Sequence, residues 1–241
     1  MLPNRRRQTR FWRAVLQKPV PMKANAPEDD GRQDVAARLR EWITGGRFMP
    51  NERLIETDLA QALNANRANV RMALAMLEQE GLVVRERNRG ARVRLVSDAE
   101  AIEIAEARQS LEALVARQAA ARASKADCAI LRGIIAEMRK AHVAADYLAI
   151  PALNGRLHTE IQRIADNATV TRLLEMLRSQ IVRQQYRAIL LPGRAKASVQ
   201  EHAAIVVAIC AHDTGAAERA MRRHIGGVIA ALKQAIALKV G

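Results

Sequence analysis

Aromatic side chains are scarce in this 241-residue chain, which has two Phe, two Trp and two Tyr. Aromatic residues make up 2% of the sequence, whereas hydrophobic residues of all kinds make up 49%. The core must therefore be built from Ala, Leu, Ile, Val and Met. Since strands favour aromatic and β-branched residues while helices favour Ala, Leu and Met, this composition predicts a mostly helical protein.

Cysteine and long apolar runs are lacking as well. Cys128 and Cys210 do not have the spacing of a metal or redox motif, so we expect two reduced thiols in a cytoplasmic protein. No apolar stretch approaches the roughly 20 residues of a membrane span, and we expect no membrane partner. Arg13, Lys18 and Pro19 interrupt any apolar segment near the N-terminus, which argues against a secretory signal peptide.

The stretch from Pro50 to Val96 carries the clearest pattern of the chain. Two short helical patterns meet at a polar turn, and two short apolar runs joined by RNRG follow them. The second helix has one apolar stripe, formed by Val70, Leu74 and Leu77. Arg67 and Arg71 are four residues apart and share another face. This series predicts a helix-turn-helix followed by a β-hairpin wing.

Several groups in this segment are of the kind that recognise nucleic acid. Asn66 precedes the second helix and can cap its free backbone N–H groups. A helix N-terminus flanked by arginines attracts phosphate, and arginine reads guanine edges in the major groove. The wing contains a single acidic residue, Glu86. It also contains five arginines, namely Arg85, Arg87, Arg89, Arg92 and Arg94. Arg67 and Arg71 alone also fit an ordinary solvated face, but the ordered series of helix, helix-turn-helix and basic wing favours DNA binding.

The same segment resembles the winged-helix domain of the GntR superfamily of bacterial transcription regulators. The resemblance rests on the residues ERLIETDLAQALNANRANVRMALAMLEQEGLVVRERNRGARV. Asn51 and Asn64 stand where the family usually has Gly, and Asn is the next-best residue for a left-handed turn. Ile55 replaces the Ser that usually caps the middle helix, so we expect that helix start to be less well satisfied.

The resemblance also implies which residues contact DNA. These are Arg53, Asn66, Arg67, Asn69 and Arg71, with Arg89 and Gly90 at the tip of the wing. Asn66-Arg67-Ala68-Asn69 replaces the Ser-Arg-x-Pro of the family, and we expect this change to alter the base preference. The partner implied by the resemblance is a double-stranded DNA operator.

Three segments follow from these patterns. Residues 32–44 fit the first helix of the DNA-binding domain, which Gly45-Gly46 ends. Ser97-Asp98 can cap the next helix, so we place the domains at residues 32–97 and 98–241. Residues 1–31 carry seven basic and no acidic side chains in their first 23 positions, and we interpret them as a disordered basic tail. An extra arm on the DNA backbone and a start codon assigned too early are the alternatives.

From Asp98 onward the sequence has only helical patterns. Apolar periodicity and short breakers predict helices over residues 98–123, 125–144, 146–166, 169–191, 195–212 and 214–238. Helices of this length with short loops favour an antiparallel bundle. The fold class expected is mostly α, with an N-terminal winged helix-turn-helix, its small β-hairpin, and a C-terminal all-helical bundle of about six helices.

Several polar residues fall on the apolar stripes of these helices, namely Arg108, Asn154, His158, His202 and His224. A buried imidazole or guanidinium without a partner is costly, so we expect these groups to face a polar cavity or each other. Asn154 and His158 are four residues apart, and with the two other histidines they can coordinate a divalent metal such as zinc or nickel. For any single histidine, a hydrogen-bonded core position is the commoner alternative.

This half of the chain resembles the FCD domain, the effector-binding half of FadR-type GntR regulators. The resemblance covers the segments ARQSLEALVARQAA, NGRLHTEI, ADNATVTRLLEML, SVQEHAAIVVAI and RAMRRHI. It implies a metal held by Asn154, His158, His202 and His224, and a small carboxylate effector in the centre of the bundle. Arg108 lies in the R-x-x-L-E motif of the family and is the first candidate to bind that carboxylate, with Arg187 as the second. Asn154 stands where Asp is commonest, which removes a charge from the metal site.

The function that these patterns and resemblances imply is a sequence-specific transcription regulator, a repressor in the commoner mode of the family. We expect a homodimer on a near-palindromic operator, controlled by a small organic acid and not an enzyme. The first alternative is a metal-dependent hydrolytic enzyme, because three histidines can activate water and Glu160 and Glu201 lie beside two of them in sequence. The second is a nonspecific nucleic-acid-binding protein driven by the basic tail.

Overall fold

The computed structural model describes residues 31–86, 90–146, 149–181 and 191–240. The chain forms two compact units that divide between Leu95 and Val96. We call residues 31–95 the N-terminal unit and residues 96–240 the C-terminal unit. The predicted tail, residues 1–31, lies outside the described residues except for Gly31, where the first helix begins. In the part of the chain that is described, no helix is long and apolar enough to cross a membrane.

The N-terminal unit consists of short helices and a small sheet. Its elements are α1 (Gly31–Thr44), β1 (Arg53–Leu54), α2 (Glu56–Leu63), α3 (Arg67–Gln79), β2 (Val83–Glu86) and β3 (Gly90–Val93). The sheet is antiparallel with the strand order β1-β3-β2. The sequence predicted only the hairpin of β2 and β3. The additional strand β1 pairs Arg53 with Arg92 and Leu54 with Ala91, and a strand of two residues is too short to show a periodicity.

Local backbone chemistry in this unit agrees with the sequence analysis. The predicted stripe of α3 is buried, since Val70, Leu74 and Leu77 are each at most 1% exposed. Asn51 and Asn64 adopt the left-handed conformation, with φ of 67° and 50°. Ile55 precedes α2 and makes no side-chain cap, as the missing Ser predicts.

The C-terminal unit is all-helical in its described residues. It contains α4 (Asp98–Arg122), α5 (Lys125–Val143), α6 (Ala149–Ala165), α7 (Ala168–Gln180), α8 (Arg194–Cys210) and α9 (Thr214–Val240). Helix α4 packs against α9 and α6, and α8 packs against α9 and α5. These contacts place one large apolar core between α4, α5, α6, α8 and α9. The mostly helical fold class is therefore confirmed.

Helix α7 is shorter than the sequence predicts. The pattern indicated a helix over residues 169–191, but α7 ends at Gln180. Ile181 leaves helical geometry and is fully buried in a small apolar cluster with Val96, Ala101 and Ile104. Leu177, one turn earlier on α7, packs against the same cluster, so the apolar periodicity continues through the end of the helix and does not reveal it.

Polar side chains cap several helix starts in this unit. Ser97 accepts a hydrogen bond from the backbone N–H of Glu100, as predicted for the start of α4. Ser124 and Asp127 form a reciprocal capping box at the start of α5. Asn167 accepts a hydrogen bond from Val170 at the start of α7. These caps fix where each helix begins, and so fix the positions of the polar residues along it.

Gly133 offers a test of helix stability in the C-terminal unit. It lies on the exposed face of α5, and a Cβ added there would meet no atom within 4 Å. We expect Gly133→Ala to raise the free energy of unfolding by about 0.5–1 kcal/mol, because alanine loses less backbone entropy in a helix. Urea denaturation followed by circular dichroism measures this change. Gly193 has φ of 79°, so Gly193→Ala should destabilise the protein instead. Equal effects of the two substitutions would contradict the prediction.

Candidate functional site

The start of α3 is the first candidate site, and it lies on the surface of the N-terminal unit. The Oδ1 atom of Asn66 accepts a hydrogen bond of 2.8 Å from the backbone N–H of Asn69, which confirms the predicted cap. The side chains of Arg67 and Arg71 are 63% and 57% exposed. Two guanidinium groups one helical turn apart therefore face solvent beside a capped helix N-terminus, where they are able to meet an anionic polymer.

Glu56, at the start of α2, pairs with Arg71 and lies near Arg67. Its carboxylate accepts two hydrogen bonds from Arg71, of 3.2 Å from Nε and 3.0 Å from Nη2. Arg67 Nη2 lies 3.9 Å from the same carboxylate. The hydrogen bond from Arg71 lowers the pKa of Glu56, so the carboxylate stays ionised. The sequence analysis did not foresee this contact, because it joins two helices across the turn.

The remaining residues expected at DNA lie on the sheet or outside the described residues. Arg53 is exposed on β1, and Gly90 is exposed at the start of β3 with φ of 82°. A Cβ at Gly90 would meet no atom within 4 Å, so the left-handed backbone, not crowding, explains the glycine. Arg89 lies outside the described residues. Asn69 is half-buried in the first turn of α3.

The second candidate site is a cluster of three buried imidazoles in the C-terminal unit. His158 on α6, His202 on α8 and His224 on α9 are all buried, as their positions on apolar stripes predict. One ring nitrogen from each residue lies within 4.8 Å of the other two. The Nε2 atoms of His158 and His202 are 3.2 Å apart. Three helices that are distant in sequence therefore bring their imidazoles to one point.

The donor set of this cluster fits a divalent metal. Metal–imidazole bonds of about 2.0–2.1 Å place two ligand nitrogens roughly 2.8–3.0 Å apart at octahedral angles and about 3.3–3.4 Å apart at tetrahedral angles, and the observed 3.2 Å lies between these values. Two nitrogen lone pairs repel at this distance unless a proton or a cation lies between them. Burial, and next the nearby imidazoles, lower the pKa of both His202 and His224 well below the usual histidine range. Neutral imidazole is the form that coordinates metals.

Carboxylates contact the outer nitrogens of two of these rings. Glu112 Oε2 lies 2.5 Å from His158 Nδ1, and Glu201 Oε2 lies 2.8 Å from His224 Nδ1. The Nδ1 atom of His202 faces the hydroxyl of Ser198 at 3.4 Å. When Nδ1 donates its proton to such an oxygen, Nε2 keeps its lone pair, and in His158 and His202 the two Nε2 atoms face each other.

Each of the two carboxylates is also paired with an arginine. Arg108 Nη2 donates to Glu112 Oε1 at 2.6 Å, and both side chains are buried. Burial by itself would raise the pKa of Glu112, but the contacts with His158 and Arg108 outweigh burial and lower the pKa. Arg194 pairs in the same way with Glu201. The interior of the bundle thus contains ionised groups in compensated pairs.

Arg108 has hydrogen-bonding capacity left over. It is 4% exposed, and its Nε and Nη1 atoms are buried with no hydrogen-bond partner among the residues that the structure describes. Leaving two charged N–H donors without acceptors in a protein interior is unfavourable. Nε and Nη1 lie on opposite edges of the guanidinium, so each can donate to a separate acceptor, such as an oxygen of a small anion.

The other residues predicted for this site have mixed positions. Asn154 is half-buried on α6, one turn before His158. Arg187 lies outside the described residues. Glu160, which the enzyme alternative named because it lies near a histidine in sequence, accepts hydrogen bonds from Arg163.

The sequence analysis did not assign Glu112, Glu201 and Arg194 to this site, and the sequence signal for each of them differs. Glu112 follows Arg108 by four residues on the same face of α4, which is a recognisable spacing for an ion pair. Glu201 was noticed only as the neighbour of His202, although it contacts His224. Nothing in the sequence around Arg194 indicated its place in the site, because its partner lies two helical turns away.

Comparison with protein families matches both halves of the chain. Residues 32–93 match the family described as bacterial regulatory proteins, gntR family. Residues 103–227 match the family described as FCD domain. The two matches cover the N-terminal unit with its exposed arginines and the C-terminal unit with its buried histidines.

Individual proteins are similar over most of their length. The HTH-type transcriptional repressor RspR of Escherichia coli is 26% identical over 208 residues, which cover 86% of this chain and 91% of that protein. A putative L-lactate dehydrogenase operon regulatory protein of Escherichia coli is 27% identical over 229 residues, covering 83% and 86%. The solved structure of E. coli McbR/YncC shares the fold with a TM-score of 0.74 at 20% identity, covering 85% of this chain and 97% of that chain.

Proposed function

Because this chain belongs to the GntR family of bacterial transcription regulators and carries an FCD domain, we propose that it is a ligand-controlled repressor. It binds an operator as a homodimer and releases it when a small carboxylate occupies the C-terminal unit. The observation that supports the ligand part of this proposal is the buried guanidinium of Arg108, in which two nitrogen atoms have no hydrogen-bond acceptor among the described residues. The repressor mode is supported by RspR, which is named as a repressor.

Operator binding is assigned to the start of α3 and to the wing. Arg67 and Arg71 are exposed on one face of α3, and a helix of this kind reads base edges in the major groove. Asn66, Asn69, Arg53, Gly90 and Arg89 are the further contacts that the family pattern implies. A homodimer presents two such helices to two half-sites, and this doubling supplies the specificity that one short helix lacks.

The effector is proposed to be a small carboxylate held by Arg108. The free Nε and Nη1 atoms of Arg108 lie on opposite edges of the guanidinium, so either can donate a charge-assisted hydrogen bond to a carboxylate oxygen while Nη2 stays bonded to Glu112. Arg187 remains the second candidate for this role. One relative is named for an L-lactate dehydrogenase operon, and lactate is a small carboxylate.

A divalent metal is proposed as the second element of the ligand site. His158, His202 and His224 would hold it, and Asn154 would supply an amide oxygen, as the family pattern implies. When bound, the metal would supply positive charge that an effector oxygen can coordinate. Zinc and nickel suit three imidazoles, whereas the neutral amide of Asn154 makes this site weaker than one with an aspartate.

The proposed effector contact is linked to the histidine cluster through Glu112. One carboxylate oxygen of Glu112 accepts from Arg108, and the other faces His158. Glu112 would therefore connect an anion bound to Arg108 with His158, a proposed metal ligand. For the effector to change operator affinity, it must bind the DNA-competent and DNA-released arrangements with unequal affinity.

A thermal-shift screen against small mono- and dicarboxylates tests the ligand proposal. We expect at least one acid to stabilise the wild-type protein and Arg108→Lys to weaken its binding at least tenfold, because lysine cannot bond Glu112 and the acid through separate nitrogens as the guanidinium does. The same acid should release the wild-type protein from a duplex selected out of a random-sequence library. Arg117→Lys, on the exposed face of the same helix, is the control and should respond like the wild type. An acid that stabilises Arg108→Lys as strongly as the wild type would refute the role of Arg108.

A further inference from the structure

We infer that Arg194, Glu201 and Gly227 act together as a positioning device for His224 and thereby raise the affinity of the proposed metal. This inference rests on the metal site put forward under the proposed function. None of the three residues touches the shared point of the histidine cluster, so their effect passes through the orientation of one imidazole.

The first part of the device is a bidentate ion pair within α8. Arg194 is the first residue of α8, and Glu201 lies seven residues later, two helical turns along the same face. Arg194 Nη1 donates to Glu201 Oε1 at 2.7 Å, and Nη2 donates to Oε2 at 2.6 Å. Both carboxylate oxygens are therefore fixed by one planar guanidinium.

The second part is the contact with the imidazole. Glu201 Oε2 accepts from His224 Nδ1 at 2.8 Å, so the same oxygen is held by Arg194 and faces the ring. A proton on Nδ1 leaves the lone pair on Nε2, which is the atom free to coordinate a metal. The Glu201 side chain is 25% exposed, and without Arg194 it would be free to turn to solvent. Arg194, at 9% exposure, keeps it against the ring.

The third part is the backbone of α9 at Gly227. This residue lies three positions after His224, on the neighbouring turn of the same helix. A Cβ added at Gly227 would lie 2.9 Å from Glu201 Oε1 and 3.1 Å from Arg194 Nη1. Since these distances are shorter than normal contacts, any side chain there would displace the ion pair. Glycine inside a helix lowers its stability by roughly 1 kcal/mol relative to alanine. The close approach of the ion pair to the backbone explains why glycine occupies this position.

The second carboxylate near the cluster does not duplicate this role. Glu112 is bonded to Arg108, which is proposed to bind the effector, so its position is expected to change with the ligand. Both terminal nitrogens of Arg194, by contrast, donate to Glu201. The Arg194–Glu201 pair therefore has the fixed geometry that suits a permanent support for one ligand. Loss of such a support typically weakens metal binding about 10- to 100-fold.

The test compares Gly227→Ala and Glu201→Gln with wild type in the full-length protein. After stripping with chelator, zinc and nickel affinities are measured by competition with a chromophoric chelator. We expect both variants to bind about 10- to 100-fold more weakly. Gly133→Ala and Glu218→Gln are matched controls that lie away from the cluster and should bind like wild type. Circular dichroism verifies that all variants remain helical.

A second readout separates positioning from a general structural effect. Nitrogen-15 NMR of histidine reports which ring nitrogen carries the proton. We expect His224 to be protonated at Nδ1 in the metal-free wild type and to populate both tautomers in Gly227→Ala, while the tautomer of His158 is unchanged. Wild-type protein that binds neither zinc nor nickel would overturn the metal site and this inference with it. Wild-type protein that binds metal, with both variants equal to it, would overturn the positioning role alone.

Discussion

Replacing both Arg67 and Arg71 with alanine should abolish sequence-specific DNA binding. One bidentate contact between arginine and a base contributes about 1–3 kcal/mol of discrimination. Two such contacts sum to about 2–6 kcal/mol, which corresponds to a loss of roughly 30-fold to more than 10⁴-fold in affinity. Both side chains are more than half exposed, so their removal should leave the fold intact. Fluorescence anisotropy with duplexes selected by the wild-type protein at fixed salt measures the change.

The salt dependence of binding distinguishes base reading from phosphate contact. If the two arginines contact bases, the double variant should bind selected and unrelated duplexes alike, and specificity should vanish. If they contact phosphates, both affinities should fall together and the slope of log affinity against log salt should shrink by about two. Arg117→Ala combined with Arg139→Ala removes two exposed arginines from the C-terminal unit and should change neither quantity. Full operator affinity in the Arg67 and Arg71 double variant would rule out α3 as the DNA-reading helix.

Glu56 adds a consequence to this prediction. In the free protein its carboxylate pairs with Arg71 and lies near Arg67, so it neutralises part of the surface that is proposed to meet DNA. If α3 contacts DNA as proposed, part of that attraction must compensate for loosening this contact. The pair also limits the rotamers of Arg71 before DNA arrives, which lowers the entropy lost on binding.

Local chemistry explains which features of the fold were visible in the sequence. Asn66 caps α3, and Asn51 and Asn64 adopt left-handed turns, because each of these roles depends on one side chain and its own backbone. The inward positions of His158 and Arg108 followed equally from helical periodicity, which needs only the neighbours along one helix. The two family resemblances were then confirmed by the matches over residues 32–93 and 103–227.

Contacts between distant segments account for what the sequence did not reveal. Strand β1 exists because Arg53 and Leu54 pair with β3 some forty residues later, and no periodicity marks so short a strand. The end of α7 at Gln180 is not visible either, because Leu177 and Ile181, on either side of it, keep the helical spacing and join the same apolar cluster. The same holds for the support of His224, since its partners come from α8 and the reason for Gly227 appears only when α8 and α9 are packed together.

Removal of bound metal should lower the thermal stability of the C-terminal unit substantially. A ligand that binds only the folded state stabilises it by about 2.7 kcal/mol at 100 times its dissociation constant and by about 4.1 kcal/mol at 1,000 times. For a chain of this size each kcal/mol shifts the melting temperature by about 2–4 °C. We therefore expect the chelator-stripped protein to melt roughly 5–15 °C below protein reloaded with zinc or nickel, as measured by differential scanning calorimetry.

The size of this effect depends on how the three rings are held. His158, His202 and His224 are already buried and close together in the fold, so binding costs little rearrangement. His202→Ala removes the ring at 3.2 Å from His158 Nε2 and should eliminate the metal-dependent shift. His142→Ala, on α5 and outside the cluster, should retain it. A metal-dependent shift that survives in His202→Ala would place the ion elsewhere, because two remaining imidazoles and the neutral amide of Asn154 form too weak a ligand set to hold it.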